Sequence, residues 1–102
     1  MPTYVLSLRA EADLDDIIAF TVHKWDAAQA GRYVAALEAC CQRLADSPMI
    51  GPACDDLLLG TRRMAQGSHV VFYRQRDHGV RVIRILHKHM LPERHVSEDD
   101  DK

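Results

Sequence analysis

The residues of this 102-residue chain with which it could do chemistry are arginines and histidines, and most lie in its second half. Arg62, Arg63, Arg74 and Arg84 could supply cations, and His69 or His87 could carry a proton near neutral pH. Cleavage of RNA through its 2′-hydroxyl asks for such a set: a base, an acid, and cations for the charge that develops on the phosphorane. Tyr73 sits inside an apolar Phe-Tyr run, where a packing role with a satisfied hydroxyl is expected. His87 and His89 share a face if their segment is a strand, and His95 follows, but no carboxylate is fixed beside them, so no metal is expected. Cys40, Cys41 and Cys54 are odd in number and form no CxxC pair. They are expected to be buried small hydrophobes in a reducing compartment rather than zinc ligands or nucleophiles. There is no serine elbow and no glycine-rich phosphate loop, so no cofactor is expected.

Charge narrows the partners. The net charge is −2, but it is unevenly spread. Residues 1–54 hold seven acids and four bases, residues 55–96 four acids and eight bases, and residues 97–102 four acids and one base. An acidic front, a basic back and an acidic end point to a charged partner. Without the tail the balance is only +1, too little for a nonspecific nucleic-acid binder. Apolar residues make up 47% of the chain, enough for a core, and no apolar run approaches the ~18–20 residues of a membrane span. The N-terminus lacks the basic start and long apolar run of a signal peptide, and a cytoplasmic location is expected.

The elements that must position these side chains follow from periodicity. Tyr4–Leu8 is apolar and partly β-branched, a first strand. Leu14, Ile17, Ile18, Thr21, Val22 and Trp25 recur at helical spacing, and acids early in that helix suit its dipole. Asp26 and Gln29 resemble a capping box for a second helix, striped by Ala30, Tyr33, Leu37, Cys40, Cys41 and Leu44 and ended at Ser47-Pro48. Then come a connection rich in leucine, a short strand at 62–65, and strong strands at 68–74 and 80–87 joined by a turn at 76–79. Pro92 allows at most a short helical turn. The order β-α-α-β-β-β predicts an α+β domain over residues 1–96, a helical hairpin packed on a mainly antiparallel sheet, with a disordered acidic tail at 97–102. Alternation along the last strand places Val80, Val82, Arg84 and Leu86 on one face, and Arg81, Ile83, Ile85 and His87 on the other. The helices can cover one side only. The other should expose apolar residues beside arginines, the mark of an interaction face.

A family resemblance joins these pieces. Gly60-Thr61-Arg62-Arg63-Met64-Ala65-Gln66-Gly67-Ser68-His69-Val70-Val71-Phe72-Tyr73-Arg74 resembles the G-x-R-x-x-x-x-G-S-H-x-x-F-Y-R signature of ParE toxins. Arg84-Ile85-Leu86-His87, then Met90 and Arg94-His95-Val96, resembles their ending. Tyr4, Leu6-Ser7, Ala12, Leu14, Ile17, Trp25, Gln29-Ala30, Tyr33 and Leu44-Ala45 match the front, so the likeness runs from about residue 4 to residue 96. Asp26 replaces the usual glycine after tryptophan, and Leu91 the frequent aspartate after methionine.

The resemblance implies the RelE/ParE-like fold and the toxin role in a type II toxin–antitoxin pair. It implies a protein that is not an enzyme but poisons DNA gyrase by trapping its cleaved-DNA complex, and that a ParD-like antitoxin neutralises. Operator DNA is then reached only through the antitoxin. On this reading Arg62, Arg74, Arg84, His87 and Met90 are candidates for target contact, and Trp25, Tyr33, Leu37, Arg63 and Arg81 for antitoxin binding. The alternatives are a RelE-type ribosome-dependent mRNA interferase, with His87 as acid or base, and a module that binds its partner without being toxic.

Overall fold

The first strand, β1 (Thr3–Leu6), runs into the first helix, α1 (Leu8–Lys24), with Ser7 alone between them in the computed structural model, which describes residues 1–101. Helix α2 (Ala27–Asp46) follows, then β2 (Thr61–Gln66), β3 (His69–Arg76) and β4 (Gly79–His87), with 3-10 turns at Pro92–Arg94 and Glu98–Asp100. The sheet order is β1-β4-β3-β2, and only the β1–β4 pair is parallel. The expected helical pair on a mainly antiparallel sheet is therefore the architecture observed. No helix among the described residues is long and apolar enough to cross a membrane.

Local chemistry explains the junctions. Ser7 is fully buried; its Oγ accepts the Ala10 N–H at 3.0 Å and donates to the Ile83 carbonyl at 2.7 Å. One hydroxyl thus caps α1 and ties it to β4. The Asp26 carboxylate caps α2 by accepting the Gln29 N–H at 2.7 Å. Gly79, at φ 143°, opens β4 against β1, where a Cβ would fall 1.7 Å from the Thr3 carbonyl oxygen, so only glycine fits.

The helix-side core is a single layer. Val71, Tyr73, Val80, Val82 and Ile85 of the sheet meet Ala10 and Ile17 of α1 and Leu37, Cys40, Cys41, Leu44 and Ala45 of α2. The α2 stripe is as expected. The α1 stripe is narrower: Ala10, Leu14, Ile17 and Thr21 form one line, while Ile18 and Val22 are exposed. Thr21 is buried because its hydroxyl turns back to the Ile17 carbonyl at 2.9 Å.

Two expectations about β4 and the sheet are corrected here. Strict alternation fails, because the pairing jumps from Phe72–Arg84 to Tyr73–Val82 and leaves Ile83 as an extra residue. Val80, Val82 and Ile85 therefore pack under the helices, while Leu86 joins Phe72 on the other side. That far side is also not bare. Cys54, Phe72, Leu86 and Val96 form a second buried cluster, flanked by Leu57, Leu58 and Val70. The connection before β2 and the segment after β4 supply its cover.

The acidic tail is not free either. Asp100 is 5% exposed, and its carboxylate takes the Ser97 N–H at 2.8 Å in a capping box that stabilises the Glu98–Asp100 turn. Arg74 and Arg81 of the far face pair with the Glu98 and Asp101 carboxylates, a proximity that composition alone could not show. Lys102 lies outside the described residues.

Candidate functional site

The strongest cluster of functional side chains gathers where α2 begins, β3 begins and β4 ends. Trp25, Tyr33, His69, His87 and His89 form a continuous row of rings, with successive centroids 5.7, 5.6, 5.5 and 5.0 Å apart. The sheet register sets its middle, since His69 pairs with His87 across β3 and β4. Tyr33 is locked against the β2–β3 turn. Its hydroxyl accepts the Ser68 N–H at 3.0 Å and lies 2.5 Å from His69 Nδ1. A Cβ on Gly67 would come within 2.7 Å of the Tyr33 ring, so this turn glycine, at φ 59°, makes room for the row.

Burial, and after it the neighbouring His87, hold His69 below the ordinary histidine value. A neutral ring fits the contact with Tyr33, whose hydroxyl then donates to Nδ1. Beside this row opens a cleft of about 390 Å³ lined in part by Asp16, Phe20, His69, His87, Met90 and His95. Its walls are mostly apolar, with imidazoles at one side. Phe20 is 60% exposed and Met90 37%, so the cleft presents apolar surface to solvent.

The arginines are arranged differently. Arg84 is 5% exposed, and its guanidinium grips the Asp13 carboxylate of α1 with two bonds of 2.8 and 2.9 Å. It also donates to the His95 carbonyl at 2.7 Å and lies 3.6 Å from Asp100. Asp13 accepts the Ile85 N–H as well, at 2.9 Å, so α1 satisfies β4 beyond the end of its pairing with β1. The bonds to Asp13 push the Arg84 pKa further up and keep it charged. Arg62 holds the connection before β2 by donating to the Gly51 carbonyl at 2.7 Å. Tyr73 fastens the same stretch: fully buried, it donates to the Pro48 carbonyl at 2.8 Å and accepts the Gly51 N–H at 3.0 Å. Arg74 donates to the Leu59 carbonyl at 2.8 Å and pairs with Glu98 and Asp101.

The structure thus divides the candidates. His87, Met90 and Arg84 line the cleft, but the Arg84 guanidinium is held on Asp13, and Arg62 and Arg74 are drawn into internal bonds elsewhere. Trp25 and Tyr33 belong to the ring row, Arg63 is exposed on β2, and Arg81 pairs with Asp101 at 3.2 Å. Leu37, at 1% exposure, is a core residue and presents nothing to a partner. The cysteines are buried as expected, and burial pushes the Cys41 thiol up to about 12, far from a thiolate at neutral pH. Two important residues escaped the sequence reading. Phe20 carried a weak signal, as an apolar residue off the α1 stripe. Asp13 carried none, because it meets Arg84 across 71 residues of chain.

This fold and chain have clear relatives. Among solved structures, the fold matches a chromosomal ParDE TA system from P. aeruginosa with a TM-score of 0.70 at 19% identity, over 85% of this chain and 96% of that one. It also matches the RelBE2 toxin–antitoxin complex of Mycobacterium tuberculosis with a TM-score of 0.61 at 26% identity, over 86% and 100% of the two chains. In sequence the chain is 45% identical to Toxin ParE1 of Caulobacter vibrioides, covering 94% of this chain and 99% of that protein. It is 42% identical to Toxin ParE of Escherichia coli, covering 88% of each. The family model described as the ParE toxin of the type II toxin–antitoxin system parDE matches residues 4–92. On this sequence match and these relatives, the chain belongs to the ParE toxin family of type II toxin–antitoxin systems.

Proposed function

We propose that this toxin poisons DNA gyrase by trapping the enzyme on cleaved DNA, and that a ParD-like antitoxin binds and silences it in the cytoplasm. It acts without catalysis of its own, and it meets operator DNA only through the antitoxin. The observation that carries the non-catalytic reading is Arg84. A ribonuclease needs free cations where the phosphorane forms, and this guanidinium is buried on Asp13. Arg62 and Arg74 are likewise bonded to backbone carbonyls.

The exposed apolar wall of Phe20 and Met90, with Trp25 and Tyr33 at the adjoining row, suits an amphipathic segment of the antitoxin. His87 and Met90 remain the candidates for target contact, and Arg63 and Arg81 for the antitoxin's acids. A RelE-type interferase is the second reading, favoured by the paired imidazoles of His69 and His87 at the cleft.

The deciding experiment takes the purified toxin, free of antitoxin, and incubates it with gyrase and supercoiled plasmid, and in parallel with a translating extract. Accumulating cleaved plasmid is the expected result. Cut messenger RNA beside untouched plasmid overturns the proposal in favour of the interferase. Silence in both assays, with antitoxin binding retained, overturns it in favour of a module that only binds.

A further inference from the structure

A second recess, of about 360 Å³, lies on the far face at the opposite end of the sheet from the ring row, lined by Arg74, Gln75, Arg76, Asp77, Arg81 and Asp101. Arg74 and Arg81 are cross-strand partners, so register places two guanidinium groups side by side. Like charges so placed repel unless an anion lies between them. Here the anion is the chain's own tail. Arg74 pairs with both Glu98 and Asp101, and Arg81 Nε lies 3.2 Å from Asp101 Oδ1, an ion pair outside hydrogen-bond geometry. The Leu59 carbonyl anchors Arg74 at 2.8 Å and aims it at the tail. Its Nε is buried with no hydrogen-bond partner among the described residues.

We propose that the Arg74–Arg81 recess is a docking site for an acidic peptide segment, and that residues 98–101 of the chain itself are its resident occupant. A partner's acidic segment docks there only by displacing the tail. The resident occupant points to a peptide. The two carboxylates on Arg74 come from positions three apart, the spacing of one short helical turn.

The tail is also built to let go. Glu98 is 69% exposed on its side chain, so its ion pair is solvated and readily exchanged. Asp100, 5% exposed, holds the turn through Ser97 and lies 3.6 Å from Arg84, so the tail is tethered even when its outer carboxylates are released. Such a short tether holds the occupant at a local concentration on the order of millimolar, which a free segment must overcome.

This inference stands apart from the gyrase assignment, and its test uses no gyrase. A fluorescein-labelled hexaglutamate peptide is titrated at low salt against the full chain and against E98Q/D101N, with Asp100 intact. The variant should bind about tenfold more tightly, and R74Q/R81Q added to that background should abolish the gain. Glu98→Gln alone serves as a second variant that cannot unfold the chain, because its side chain is mostly solvated. Equal affinity for wild type and both tail variants overturns the proposal. So does a gain that survives loss of the two arginines, and so does tighter binding of hexathymidylate than of the peptide.

Discussion

The two faces of the sheet are covered by different means. On the helix side, periodic elements meet: the α2 stripe and the strand residues Val71, Tyr73, Val80 and Val82 fit without a buried charge among them. On the far side, irregular chain is drawn over Phe72 and Leu86, and arginines fasten it: Arg74 to Leu59, Arg84 to His95. Arg62 and Tyr73 fasten the start of the same connection from the helix side. The first face is held by area and shape, the second by a small cluster plus hydrogen bonds to carbonyls that have no strand partner. A toxin that must meet partners gains from this asymmetry. The rigid side keeps the fold, while the pinned side carries segments whose ties can be exchanged.

The largest effect is expected where the two regimes meet. Arg84→Ala leaves the Asp13 carboxylate without its cation and should cost about 3 kcal/mol or more, read from the midpoint of urea unfolding. A double variant, D13N/R84M, should recover much of that loss, since the pair is largely desolvated. If the double variant is no better than Arg84→Ala, the junction depends on geometry specific to the ion pair.

Next in size are truncations in the two clusters. Leu37→Ala should cost about 3 kcal/mol, because helix and strand cannot close the cavity. Leu86→Ala should cost about 2 kcal/mol, because an irregular cover can settle into the space. Equal losses in parallel denaturation curves would erase the distinction between the faces.

The smallest effect is a pH dependence. His69 is held below its ordinary value of 6.5, so the folded state prefers the neutral ring. Its contribution is then fully present above pH 6.5 and is lost as the pH falls through the lower folded value. Thermal melts from pH 8 to pH 5 should show falling stability, and His69→Gln should flatten that slope. A slope unchanged by the substitution would place the acid sensitivity elsewhere than in the ring row.

How far the sequence reached depended on the range of the interaction. Local periodicity was enough for α2, whose Leu37, Cys40, Cys41 and Leu44 are all buried as read. It overstated α1, because Ile18 and Val22 match the helical period yet find no surface to cover them. His69 and His87 were legible as titratable groups, but their meeting across β3 and β4 depends on sheet register. Leu37 was misjudged as a partner contact because a hydrophobic period does not say which layer lies above it.

The sequence by itself determined the element order, the cap at Asp26, the helix-facing core of α2 and the family, since all of these lie in short spacings and ordered motifs. Tertiary structure alone decided the rest. An extra residue at Ile83 turned the second half of β4 over. Asp13 found Arg84 across 71 residues. The acidic tail settled on Arg74 and Arg81. Register and charge pairing depend on which distant groups the closed fold brings within reach, and no local pattern encodes that distance.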